Sequence, residues 1–137
     1  MHNFSKGQGL VEFSLFLPIV IILVLGALSL GQAFHIKVIL ENAAREGAYF
    51  MVYNTNEGKA NSFALAKAAV QGEAGNSGVA ILDGDIDIYC KFSGVINNNC
   101  PESSTVVVTV QHELSVIFDG LFGGPFSLAN DAKMLIP

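Results

Sequence analysis

The sequence predicts an α+β protein. A long N-terminal membrane-spanning helix continues into an amphipathic helix, which packs on a small three-stranded antiparallel sheet with one extra short helix. Three observations carry this. From Phe13 to Phe34 the chain runs 22 residues without a formal charge. From Ile36 to Met51 apolar residues recur at three- and four-residue steps, the period of one helix face. Beyond Asp85 the pattern changes to alternation, the period of a strand.

The charge-free run comes first. As a helix rising about 1.5 Å per residue it extends about 33 Å, enough to cross a hydrocarbon core about 30 Å thick. Leu, Ile and Val crowd every face, unlike the single apolar stripe of a soluble helix. A cleaved secretory signal is the rival reading: Lys6 is a thin basic flank, and Gly31 with Ala33 would pass as a small-residue cleavage site before Phe34. Against it, the run exceeds an h-region of about 7–15 residues, Glu12 stands at its head, and the helical pattern continues past Phe34. Pro18 lacks an amide and is expected to bend the helix near Ser14. Ala27 and Gly31 form a small-xxx-small pair suited to close helix approach.

Glu12 has two readings. A carboxylate at the edge of a span reaches the headgroups cheaply, and a helix N-terminus favours negative charge. Alternatively, were the chain cut after Gly7, Glu12 would be the fifth residue, one turn from a new α-amino group. An amine and a carboxylate there, within a chain or between neighbours, would offset each other's desolvation.

These residues resemble a known family. Gly7-Gln8 followed by Glu12-Phe13 resembles the class III signal of type IV pilins, which a prepilin peptidase cuts after Gly. The fuller pattern is Lys6-Gly7-Gln8, Leu10-Val11-Glu12-Phe13, Leu17-Pro18 and Asn42-Ala43-Ala44-Arg45-Glu46-Gly47-Ala48. It is similar to the TadE-like pseudopilins of the tight-adherence (Flp pilus) secretion system, over about the first fifty residues in one register.

The resemblance implies a prepilin leader at 1–7, a membrane-spanning assembly helix at 8–34 and a periplasmic or extracellular pilin-like domain at 35–137. By position, Gly7 is the cleavage residue and Gln8 the new N-terminus. Glu12, Phe13, Pro18, Ala27 and Gly31 become assembly and register residues. The implied place is the bacterial cytoplasmic membrane with the N-terminus inside, or an extracellular pilus, in a minor or priming role. The implied partners are other pilin or pseudopilin subunits, a prepilin peptidase, an inner-membrane assembly platform, and lipid through residues 13–34. One departure matters: many type IV pilins begin with Phe, whereas Gln8 can cyclise to pyroglutamate and delete the amine that Glu12 would meet.

From His35 onward six basic residues face eleven acidic ones, a balance of −5 that disfavours nucleic acid and anionic lipid. Charge does not orient the span, because Lys37 and Arg45 on the far side are interspersed with Glu41 and Glu46. Ile36, Ile39, Leu40, Ala43, Ala44 and Gly47 share the face expected to receive the globular domain. Lys37, Glu41 and Arg45 line a solvated side at i, i+4 spacing. The helix is expected to run from Gln8 to about Tyr53, with a turn over 54–61. Ser62 would cap a second helix, Phe63 to about Gly75, with Phe63, Leu65, Ala66, Ala69 and Val70 inward.

Strands are expected at Asp85–Phe92, Thr105–Glu113 and Phe126–Ile136. Asn97-Asn98-Asn99 would turn between the first two, and Leu114–Phe122 would be a short helical connection. In an oxidising compartment Cys90 and Cys100 would close a loop worth about 3 kcal/mol. Two free thiols are the alternative. A zinc site using them with His112 lacks a fourth ligand.

Asp83, Asp85 and Asp87 are a weak calcium candidate, because Ile88 and Gly94 stand where the loop needs Gly and an acid. Alternation with Ile86 and Ile88 favours a polar strand face. No nucleophile elbow, P-loop, dinucleotide fingerprint or His-Glu-x-x-His is present, so neither enzyme activity nor a cofactor is expected. Two other classes stay open: an uncleaved single-pass envelope protein whose outer domain binds a partner, and a secreted binding domain released at Ala33.

Overall fold

A computed structural model describes residues 8–54, 59–97, 100–115 and 124–137. The chain forms two compact units, Met1–Gln32 and Ala33–Pro137. Helix α1 spans Gln8–Tyr53 and helix α2 Lys59–Asn76. A 3-10 turn at Asp83–Asp85 leads into strands β1 (Ile86–Phe92), β2 (Val95–Asn97), β3 (Thr105–Leu114) and β4 (Phe126–Leu135). The α+β class predicted from sequence is the class observed.

The sheet has four strands among the described residues, not three, in the order β2-β1-β3-β4, every pairing antiparallel. The extra strand follows from a tight hairpin. Ser93 (φ 51) and Gly94 (φ 84) both take the left-handed conformation, the signature of the two-residue turn whose twist suits adjacent strands. They set Phe92 opposite Val95 and Cys90 opposite Asn97. Three residues are too few for alternation to register, which hides β2 in the sequence.

Other boundaries shift as well. Asp85 belongs to the 3-10 turn rather than to β1, and Leu114 ends β3 instead of opening a helical connection. Ser115 is not helical, and the rest of that expected connection, 116–122, lies outside the described residues, as do 123, 55–58 and the turn residues Asn98 and Asn99. Helix α2 is longer than expected, so Ser62 is an interior residue and not its cap. Its hydroxyl donates to the Asn54 carbonyl at 3.2 Å, tying α2 to the end of α1. There, Asn54 closes the helix by donating from backbone and side chain to the Phe50 carbonyl.

One apolar cluster holds the second unit together. Ile39, Leu40, Ala43, Ala44, Ala48 and Met51 of α1 meet Ala66, Val70 and Ala74 of α2 over the sheet's inner face. That face presents Ile86, Cys90, Val106, Val108, Val110 and Ala132 at period two. Small residues on both helices let the backbones approach closely. A Cβ added at Gly47 would lie 2.5 Å from Cγ2 of Val70. Beyond α2, Lys67 and Gln71 pin the chain ahead of β1: Lys67 donates to the Asp83 carbonyl and Gln71 to the Ile81 carbonyl.

Candidate functional site

The described residues of the first unit are all helical. Of its described residues only Glu12 carries a charge. Leu10, Val11, Phe13, Leu15 and Phe16 are each more than 60 % exposed, and a Cβ added at Gly26 or Gly31 would meet nothing within 4 Å. The span is bare all round, and α1 holds the one stretch among the described residues long and apolar enough to cross a membrane.

Its few polar side chains turn inward on their own backbone. Ser14 donates to the Val11 carbonyl at 2.8 Å and Ser29 to the Leu25 carbonyl at 2.9 Å. A helix in hydrocarbon must satisfy its hydroxyls internally in this way. These two serines were not singled out from the sequence, though a Ser with a carbonyl three or four residues back is a readable signal. Pro18 sits inside α1, which continues through it.

The expected site residues divide into groups. Gly7 lies outside the described residues, and Gln8 opens α1. Glu12, Phe13, Pro18, Ala27 and Gly31 all stand exposed on the span. Cys90 and Cys100 are joined in a disulfide with Cα atoms 5.1 Å apart. Cys90 is fully buried at the centre of β1, so the bridge fastens the chain after β2 to the core.

The three aspartates are not brought together. Asp83 accepts from Gln71 at 2.8 Å, Asp85 accepts from the Leu82 amide, and Asp87 stands exposed on the outer face of β1. No group of three or more His, Cys, Asp or Glu among the described residues is placed to hold a metal. His112 is half-buried opposite Leu128, far along β3 from the disulfide. Of the charge ladder on α1, Arg45 pairs with Glu41, while Lys37 offers its carbonyl to Asn130 of β4.

The motif Asn42-Ala43-Ala44-Arg45-Glu46-Gly47-Ala48 acquires a physical meaning here. Ala43, Ala44 and Ala48 are fully buried and Gly47 abuts Val70, whereas Arg45 and Glu46 face solvent. The motif is thus the docking face of α1 for its own domain. Small side chains let it lie close to α2 and the sheet.

A bare apolar helix followed by a disulfide-bonded α+β domain suits a membrane-anchored envelope protein. Residues 7–48 match the family model of the TadE-like proteins, and over that segment the chain is similar to them. The match ends with the alanine and glycine face of α1. No curated protein and no solved structure matches the chain.

Proposed function

We propose that this chain is a minor pilin or pseudopilin subunit of a Tad/Flp-type pilus or secretion apparatus. In this reading it is cleaved after Gly7 by a prepilin peptidase and assembled through its N-terminal helix. The observation that carries it is Glu12, the lone charge on the apolar span 8–34, inside the TadE-like segment. Before assembly the span stores the subunit in the cytoplasmic membrane, N-terminus inside. On extraction, apolar faces exchange lipid for neighbouring helices, and Ala27 with Gly31 permit close approach. Glu12 sets the register by meeting the N-terminal amine of a neighbour. The work is structural, with no catalytic step.

The mature N-terminus tests this. Sequencing or intact mass of protein from the native host is expected to give Gln8. A Met1 start would support an uncleaved anchor, and a Phe34 start a secreted domain; either overturns the proposal. Replacing Gly7 with a bulky residue is expected to block processing altogether. Loss of ammonia relative to a free Gln8 start would retain cleavage but remove the amine from the register pair.

A further inference from the structure

Strand β4 leaves a long edge of the sheet open. It pairs with β3 along its whole length, and no described strand lies on its other side. Ile136 donates to the Ser104 carbonyl at 2.9 Å, which fixes the phase of the ladder: even-numbered residues of β4 bond to β3. The tight hairpin at Ser93-Gly94, followed across β1 and β3, gives the same phase. The backbone groups of Ser127, Ala129, Asp131, Lys133 and Leu135 therefore face outward, and all five residues are exposed. Such a row of free donors and acceptors is a template for another strand.

We propose that this edge is a homotypic docking surface, on which β4 of a second copy pairs antiparallel about Ala132. The choice of occupant and register rests on charge. Asp131 and Lys133 lie two residues apart on the same face and pair at 2.7 Å within the chain. Centring the two-fold on Asp131 opposes two carboxylates, and centring it on Lys133 opposes two ammonium groups. Centring on Ala132 alone sets each charge against its opposite, and like charges directly across a strand pair are destabilising. This register also joins outward-facing residues to outward-facing residues, as the ladder requires. At the axis the inner face carries only the small Ala132 side chains.

The two-fold runs normal to the sheet. The pairing adds a second contact between copies of the domain to assembly through α1.

The test uses the full-length chain in excess detergent, with dimerisation followed by sedimentation at 0.15 M salt. Wild type is expected to dimerise. D131K places like positive charges at both positions and K133D like negative charges, so neither is expected to dimerise alone. Mixing D131K with K133D restores opposite charges across the axis and is expected to recover the dimer to within about twofold of wild type. A132C is expected to give a disulfide-linked dimer and D131C none, since both natural cysteines are already bridged. No wild-type dimer, a dimer of either variant alone, or a mixture no better than its parts would overturn the proposal. The uncut chain suffices, so failure here leaves the processing reading untouched.

Discussion

Gly47 on α1 and Val70 on α2 pack so closely that a Cβ on the glycine would lie 2.5 Å from a methyl of the valine. Val70 is fully buried and stiff at χ1, so it cannot swing aside cheaply. Gly47→Ala would gain about 1 kcal/mol of helix propensity. It would lose about 1–3 kcal/mol to overpacking. Net destabilisation is expected, rising steeply for Gly47→Leu. Adding Val70→Ala is expected to relieve part of the clash, a coupling that a double-mutant cycle of urea unfolding in detergent would measure. Additive effects would show that the contact is looser than described.

The bridge between Cys90 and Cys100 closes a short loop around β2. Replacing both cysteines with alanine is expected to cost about 3 kcal/mol by the loop-closure estimate. The loss would be seen as a lower midpoint of thermal unfolding under oxidising conditions. Under reducing conditions wild type and variant are expected to converge. A persistent gap between them would assign the effect to packing of the buried Cys90 instead.

Asp131 and Lys133 give a pH signature. The hydrogen bond from Lys133, then its charge, holds the Asp131 carboxyl below its usual value. The same contact from the other side raises Lys133. A lowered carboxyl stabilises the fold above its unfolded pKa, and that contribution disappears as pH falls through the folded one. For Lys133 the contribution is present below the unfolded pKa and disappears as pH rises through the folded one. Both groups are exposed, so the effect on stability is small and salt-sensitive. An NMR titration of Asp131 is expected to show a depressed midpoint that returns to the ordinary range in Lys133→Met. An unchanged midpoint in that variant would sever the pair.

Glu12→Ala is expected to leave membrane insertion intact, because the span keeps its length and gains hydropathy. Incorporation into the assembly is expected to fall about tenfold, equivalent to about 1.4 kcal/mol for a lost amine–carboxylate pair. Co-purification of tagged subunits with sheared filaments would measure it. Undiminished incorporation would remove Glu12 from the register role and leave it a headgroup-facing residue.

Much of this protein was legible in the chain because its signals are local. Twenty-two residues without a charge after Glu12 already require a non-aqueous environment, whatever they pack against. The steps from Ile39 to Ala48 fix which face of α1 turns inward, and the alternation through β3 fixes its inward face. The three aspartates were a weak calcium candidate from the sequence, and equal spacing along the chain does not by itself place side chains in one pocket. Asp83 and Asp85 lie in a turn, and each has a different hydrogen-bond partner.

The sequence by itself determined the apolar anchor, the α+β class and the inner face of each long strand, since those depend on period and charge within one segment. Only the tertiary structure decided that β2 exists, that Cys90 and Cys100 meet, and that Val107 is buried at 1 % exposure on the outer face. Val107 has Tyr89 and Lys133 as its cross-strand neighbours, residues 18 and 26 positions away in sequence. Burial of that kind is set by which strands lie side by side, and no pattern within a single strand contains it.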